Sequence, residues 1–251
     1  MRFNRKLLIL SVLLSAVYGR SSVAACNDIA APGVNWAGCN KTGVILRNVD
    51  LTGAIMRAVD LSNADLSGAR LVHAEMNFAD LTNTRFDGAL MQSARLVAVK
   101  GEGAHFVKTR LDDASFSRAS LPSADFTEAR LKDASFYEAN LAWAIFSKAN
   151  LERATLEQAN ASSAKFDEAN LTEAEFLSAT LDSTSFRNAN MTRAKLNNAD
   201  MSAADFTGAN LTKASLTEAT IDGSIFDDAI LDDTSWVNYR RCRRGSVGEC
   251  R

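Results

Sequence analysis

The chain has 251 residues, of which 47% are apolar and 23% charged, and it contains only two prolines. This composition can form a core and excludes a disordered or proline-rich chain. The formal net charge is −2, but residues 27–239 hold 19 basic and 29 acidic side chains, and residues 240–251 hold five arginines and one glutamate. An acidic body of this kind lacks the basic patch that is typical of nucleic-acid binding.

The first 25 residues have the pattern of an export signal. Three basic side chains in the first six residues precede an apolar run over 7–17, which is too short to span a bilayer. Small residues follow, and we expect cleavage after Ala25, which leaves Cys26 as the first residue. The protein is therefore expected in the periplasm of a bacterium or outside the cell.

The segment Val23-Ala24-Ala25-Cys26 also resembles the lipobox of bacterial lipoproteins. Two features argue against that alternative: the apolar run ends eight residues before the cysteine, with Arg20 between them, and lipidation of Cys26 would leave an odd number of thiols. The alternative stays open, and a membrane is an expected partner only if Cys26 is lipidated.

From Leu46 to Trp236 a large apolar side chain recurs every five residues, except at Gly101 and Ala161, giving 39 repeats without an insertion or deletion. A small residue lies two positions before each of them, and 30 of these 39 small residues are alanine. Neither the 3.6-residue period of a helix nor the two-residue period of a strand produces this pattern. A period of five requires a turn in every repeat.

A second period of twenty residues is visible in the phenylalanines, eight of which are spaced by twenty from Phe86 to Phe226. It predicts coils of four pentapeptides that stack at about 4.7–4.9 Å. We interpret the phenylalanine column as core packing rather than a ligand site. Gly101 lacks a large side chain at its repeat position, and we interpret Lys100–Gly103 as a bulge or kink, with a flexible lip as the alternative.

Runs such as Ala139-Asn140-Leu141 and Ala209-Asn210-Leu211 resemble the A(D/N)LXX consensus of the pentapeptide-repeat family, and the resemblance covers residues 44–236. It implies an all-β fold, a right-handed quadrilateral β-helix of about ten coils, and it offers no catalytic residues. Residues 26–43 and 237–251 resemble the disulfide-closed ends of exported members, which implies an N-terminal cap and a basic C-terminal tail.

All four cysteines flank the repeats: Cys26 and Cys39 before them, Cys242 and Cys250 after them. An even number in an exported chain indicates disulfides. Proximity in sequence favours Cys26–Cys39 and Cys242–Cys250, because the two ends of a long solenoid lie far apart. A metal site is the weaker alternative, since the chain has no CxxC motif.

One of the four predicted sides is acidic and otherwise made of small residues. Its six carboxylates form the candidate binding face: Asp60, Asp80, Glu102, Asp182, Asp200 and Asp222. Lys100 is the only opposing charge on this side. The plainer interpretation is a solvated face without a partner.

These features predict a non-enzymatic, exported scaffold that binds an unknown protein, with no cofactor, metal or small-molecule substrate. The acidic charge of the body argues against nucleic acid as a ligand. The family resemblance implies an alternative, because some cytoplasmic members mimic DNA and bind type II topoisomerases such as gyrase. It also leaves open whether the chain is a monomer or an end-to-end homodimer.

Overall fold

A computed structural model describes residues 24–251. The predicted export signal, residues 1–25, therefore lies almost entirely outside the described residues. From residue 24 to the C-terminus, no helix has the length and hydropathy of a membrane span.

Every repeat contains one turn, and the pentapeptide Asp50–Ala54 illustrates its five positions. Asp50 is the bridge position, Leu51 the central position, Thr52 and Gly53 the first and second turn positions, and Ala54 the small position. The Ala54 amide donates to the Leu51 carbonyl at 3.0 Å, and Gly53 has a φ of 63°. This is a type II turn, which requires a positive φ at its third residue.

The second turn position has a positive φ in every repeat from Gly33 to Asp233, and most of these residues are not glycine. A left-handed conformation costs a non-glycine residue about 1 kcal/mol. The repeats tolerate this cost because hydrogen bonds to the adjacent coil hold each turn in place.

Parallel bridges join residues twenty positions apart, from Asn35↔Ile55 to Ser215↔Ser235. This spacing confirms the twenty-residue coil with four sides. Within one repeat, the amides of Leu51 and Gly53 donate to the following coil, at 2.7 Å and 2.8 Å, and the amide of the next bridge residue donates to the preceding coil. Ten coil steps at the usual strand spacing give a rod about 48 Å long.

Residues 24–251 form isolated bridges and turns, with no helix and no strand longer than one residue. The β structure of the predicted solenoid therefore consists of single-residue bridges rather than extended strands. The reason is the turn in every pentapeptide, which leaves one ladder residue on each side of a coil.

The ladder begins at Asn35, inside the segment 26–43 that we predicted as a cap. Lys41 occupies a central position there, which is why the apolar pattern does not reveal this coil. Its ammonium lies 4.1 Å from the centre of the Trp36 ring and donates to the Cys26 carbonyl at 2.8 Å. The Cys26–Cys39 disulfide ties the chain entry to this first coil.

Aromatic rings fill the middle of the rod as core packing. The rings of Phe106, Phe126 and Phe146 are stacked with centroids 4.7 Å apart, and all three side chains are fully buried. Phenylalanines of the opposite side of the coil, such as Phe116 and Phe136, meet Phe126 edge-on at 5.7 Å. Both geometries are favourable for aromatic pairs.

The ladder runs through Lys100 without a bulge, which corrects the interpretation of Lys100–Gly103 as a bulge or lip. Lys100 bridges to both neighbouring coils, and the amides of Gly101 and Gly103 donate to the following coil. A Cβ on Gly101 would lie 2.7 Å from Cδ2 of Leu121. The leucine of the next coil therefore fills the space that the missing side chain leaves.

The basic tail folds back over the last coil and covers part of its end. Antiparallel bridges join Ile230 to Val247 and Ser235 to Arg241, and the Cys242–Cys250 disulfide closes the loop. The two disulfides thus join the pairs that sequence proximity favours. The tail pairs with two sides of the coil, and the edge at 221–228 lies outside these bridges.

Candidate functional site

The acidic face is the side of the rod whose central positions run from Lys41 to Ile221 in steps of twenty. The repeat geometry brings all six candidate carboxylates onto this side. Three lie at bridge positions and three at first turn positions. The bridge group is Asp60, Asp80 and Asp200, and the turn group is Glu102, Asp182 and Asp222.

The three bridge-position carboxylates also hold turns together. Oδ1 of Asp60 accepts from the Ser62 amide at 3.0 Å and from the Ser62 hydroxyl at 2.7 Å. Asp80 and Asp200 make the same pair of bonds two residues ahead. Hydrogen bonds from Ser62 lower the pKa of Asp60 below its usual value. Asp60, Asp80 and Asp200 are therefore turn caps as well as surface groups.

This capping explains why the family consensus has Asp or Asn before the central leucine. The turn and ladder bonds leave one amide in each repeat, at the first turn position, without a backbone acceptor, and the bridge side chain accepts from it. Asn170 does so for Thr172 at 3.2 Å, and Asp65 does so for Ser67 at 3.0 Å. Hydrogen bonds from Ser67, with the Arg47 guanidinium nearby, lower the pKa of Asp65 to about 2.

Where the bridge residue cannot cap, a side chain from the preceding coil takes over. Arg95 precedes Leu96, and the Val97 amide donates instead to Oδ1 of Asn77 at 3.1 Å. The amide of Arg187 likewise donates to Oδ1 of Asp167 at 3.2 Å. Sequence reasoning missed this arrangement, although a polar residue exactly twenty positions earlier is the signal that reveals it.

The acidic face differs from the other three sides in its ion pairing. On those sides, bases and acids on adjacent coils pair along the rod, as in Arg118–Glu138 at 2.7 Å and Lys195–Glu175 at 2.6 Å. Within residues 24–251, no ion pair lies on the acidic face. Lys41 and Lys100 lie on this side, but within residues 24–251 neither is in an ion pair with its carboxylates.

The six carboxylates do not form one continuous patch. They lie in two groups, one ending at Glu102 and the other starting at Asp182, and the three coils between them carry no charge on this side. Trp143 stands in the middle of this gap with 62% of its surface exposed. Sequence reasoning missed Trp143; the signal was a single aromatic residue in a column otherwise made of small polar residues.

A second surface feature lies on other sides of the rod. An open depression of about 320 Å³ is lined by Arg153, Glu173, Glu175, Arg193 and Lys195. Arg193 contacts Glu173 at 3.0 Å, and Arg153 contacts a carboxylate at 2.8 Å. The depression is a set of paired charges, and exposed pairs of this kind contribute little binding energy.

Metal ligation has no support in the described part of the chain. From residue 24 onwards, no three His, Cys, Asp or Glu side chains are grouped so that they could hold an ion. All four cysteines are in disulfides, and His73 and His105 lie on different sides of the coil.

Comparison with protein families agrees with this geometry. A family model described as pentapeptide repeats (8 copies) matches residues 32–63, 60–96 and 102–133, and one described as pentapeptide repeat region matches 129–206 and 149–226. The chain belongs to the pentapeptide-repeat family. The matches begin at residue 32, close to the first bridge of the ladder at Asn35.

Several solved structures are similar to this pentapeptide-repeat protein. HetL, a pentapeptide repeat protein involved in heterocyst differentiation regulation in the cyanobacterium Nostoc sp. strain PCC 7120, is 27% identical, with 79% of this chain and 92% of that chain covered and a TM-score of 0.48. QnrB1, a plasmid-mediated fluoroquinolone resistance protein, is 15% identical, with coverage of 62% and 90% and a TM-score of 0.49. A pentapeptide repeat protein of the Arabidopsis thaliana thylakoid lumen is 21% identical, with coverage of 38% and 63% and a TM-score of 0.29. No curated protein matches the chain.

Proposed function

We propose that this pentapeptide-repeat protein is an exported, non-enzymatic scaffold of the bacterial envelope that binds a protein partner through its acidic face. The observation that supports it is the contrast between the sides of the rod. Three sides pair their charges along the ladder, whereas in the described chain, residues 24–251, the carboxylates of the acidic face are in no ion pair.

A line of unpaired carboxylates on a rigid rod produces a negative potential along one side. Such a potential attracts a basic partner and raises the rate of association, and it does so most strongly at low salt. The turn-capping bonds fix the positions of Asp60, Asp80 and Asp200. The proposed partner therefore has a basic surface that spans several coils.

The test neutralises the six carboxylates by Asp→Asn and Glu→Gln changes. Asparagine retains the turn cap, as Asn170 shows, so that the fold is kept while the charge is removed. The neutralised variant is expected to capture no partner when it is cross-linked in native cells, and the salt dependence of capture is expected to disappear. The matched control neutralises six carboxylates on other sides: Glu75, Glu128, Glu138, Glu168, Glu173 and Glu175. Equal capture by both variants would refute the role of the acidic face.

The export of the protein is part of the same proposal. Four cysteines, all paired, suit an oxidising compartment. In the structure the Cys26 thiol is used in a disulfide with Cys39, which favours a free mature protein over one lipidated at Cys26. We further propose that the coils wind with the right hand that is usual for parallel crossover connections.

The alternative function is binding of a type II topoisomerase by mimicry of DNA. The two groups of three carboxylates favour it, because within each group the negative charges recur once per coil and resemble a phosphate backbone. A DNA-gyrase supercoiling assay distinguishes the two: inhibition by the wild-type rod, relieved by neutralising the six carboxylates, would support mimicry.

The monomer or end-to-end dimer is a separate question. The tail covers two sides of the C-terminal end, which favours the monomer there. Sedimentation equilibrium over a concentration series decides between them.

A further inference from the structure

The uncharged gap in the acidic face is a distinct surface, which we name the neutral window. It consists of the outward residues of three successive coils: Ser120, Pro122, Ser123, Asn140, Ala142, Trp143, Asn160, Ser162 and Ser163. In a chain with 23% charged residues, nine successive outward positions of one side without a charge form an unusual surface.

Trp143 is the only large side chain in the window. It occupies a second turn position with a φ of 59°, where the adjacent coils have Ser123 and Ser163. Because its neighbours in the column are small, the indole projects above a flat surface and is 62% exposed. An indole combines an apolar ring face with one N–H donor.

The two asparagines of the window have a fixed orientation. Oδ1 of Asn140 accepts from the Ala142 amide at 3.2 Å, and Oδ1 of Asn160 accepts from the Ser162 amide at 3.1 Å. Each NH₂ group is thereby directed away from the turn, and neither finds an acceptor among residues 24–251. Asn140 and Asn160 are bridge partners, so their free donors lie one coil apart, about 4.8 Å.

We propose that the neutral window binds an uncharged polysaccharide, with a sugar ring on the face of Trp143 and its hydroxyl groups on Asn140 and Asn160. A pyranose ring has an apolar C–H face that stacks on an aromatic ring, and its hydroxyls accept hydrogen bonds from amide donors. A neutral ligand also binds most favourably where its binding does not desolvate a charged group. The flat surface and the regular coil spacing suit an extended chain of sugars rather than a compact ligand.

One residue of the window contacts the acidic group next to it, because the Ser162 hydroxyl donates to Oδ1 of Asp182. The proposed sugar site on Trp143, Asn140 and Asn160 does not use that carboxylate. It does not depend on the protein partner that the acidic face is proposed to bind, and the two proposals fail independently. A protein that docks on Trp143 is the main competing occupant, and the experiment distinguishes it.

The test is native affinity electrophoresis of the full mature chain in gels containing hydroxyethylcellulose, glycol chitin or laminarin. Trp143→Ser restores the residue that the adjacent coils have at this position and should fold normally. Phe78→Ser is the matched control, since Phe78 is another exposed aromatic residue at a second turn position, 66% exposed, on another side of the rod.

We expect at least one of the three polysaccharides to retard the wild-type protein. Trp143→Ser should raise the apparent dissociation constant about tenfold, the usual loss when a stacking aromatic is removed. Phe78→Ser should change it by less than about twofold, the ordinary effect of a distant surface change. The polysaccharide should protect Trp fluorescence from acrylamide in the wild type but not in Trp143→Ser, because Trp143 is the most exposed of the three indoles, Trp36 being buried and Trp236 half-buried.

A second pair of variants tests the amide donors. Asn160→Asp retains an oxygen for the turn cap but replaces the outward NH₂ group by a charged oxygen, and should weaken retardation. Asn210→Asp makes the same change at a capped turn on another side and should not. The proposal is overturned if none of the three polysaccharides retards the wild type, if Trp143→Ser binds as the wild type does, or if Trp143→Ser loses a protein partner while polysaccharide binding is unchanged.

Discussion

Replacing Asp65 tests whether the bridge-position carboxylates hold the turns. Oδ1 of Asp65 accepts from the Ser67 amide at 3.0 Å and from its hydroxyl at 2.6 Å. Asp65→Ala leaves both donors without this acceptor, and hydrogen bonds to a charged acceptor are worth about 1.5 kcal/mol each, so we expect a loss of about 3 kcal/mol. Asp65→Asn keeps the acceptor but loses the pair with Arg47, whose side chain is 62% exposed, and should cost at most about 1 kcal/mol.

The pH dependence of the same site has a defined sign. The pKa of Asp65 is lowered from 3.8 to about 2 by the Ser67 hydrogen bonds and by Arg47. Its ionised form therefore stabilises the fold fully above pH 3.8, and this stabilisation is lost as the pH falls from 3.8 towards 2. The advantage of the wild type over Asp65→Asn should disappear over that interval.

Urea unfolding, followed by circular dichroism at pH 7 and at steps down to pH 2, measures both effects. Hydrogen exchange of the Ser67 amide gives a local readout, which is useful because repeat arrays often unfold in parts. If Asp65→Asn were as destabilising as Asp65→Ala at pH 7, the ion pair with Arg47 would be the important interaction and the capping explanation would be wrong.

Three further changes test the core and the ends. Phe126→Ala removes a fully buried ring with two stacked neighbours at 4.7 Å and should lower the free energy of unfolding in urea by about 4 kcal/mol. Phe226→Ala, at the end of the stack, should lower it by about half as much. Equal losses would contradict a stabilising role of the stacked neighbours. Replacing both Cys242 and Cys250 by serine removes the disulfide across a sequence separation of eight and should lower the free energy of unfolding by about 2.5 kcal/mol. Hydrogen exchange in the last coil should become faster. Unchanged exchange would mean that the tail does not cap the rod. Gly101→Ala brings a methyl group against the movable end of a leucine at 2.7 Å and should cost under about 1 kcal/mol in the same unfolding assay; a loss above about 3 kcal/mol would show that this layer cannot adjust.

The repeat could be read from the sequence because one constraint applies at every fifth residue. Large side chains at central positions, such as Leu51, and small ones such as Ala54 both point into the rod and are fully buried. The twenty-residue period then follows from residues of one type stacking on each other. No other regular structure satisfies both periods.

The first coil and the path of the tail could not be read in this way. Lys41 stands at a central position, because the end of the rod has no further coil to cover it and a charged group can lie over Trp36. The tail has no period at all, and its antiparallel pairing depends on Cys242–Cys250 and on bonds such as that from the Leu231 amide to the Ser246 carbonyl.

The candidate face was only partly predictable. Its six carboxylates were placed on one side correctly by counting, since the register has no slip. That Asp60 also caps a turn was not apparent, because an acidic residue is read from sequence as a surface charge; the serine or threonine two residues later is the sign of a cap. The neutral window could not be recognised from the charges, because only charged residues distinguish the four sides in that comparison and Trp143 is uncharged.

Intact-mass measurement on the protein recovered from fractionated native cells tests the central claim, an exported rod closed by two disulfides, most directly. The account predicts a chain that begins at Cys26, occurs in the periplasm or medium, and gains the mass of four hydrogens on reduction, two for each disulfide. An unprocessed and already reduced chain in the cytoplasm would contradict it and would make gyrase the first partner to assay. A lipid-sized increment on Cys26 would contradict the Cys26–Cys39 disulfide and identify a membrane-anchored rod.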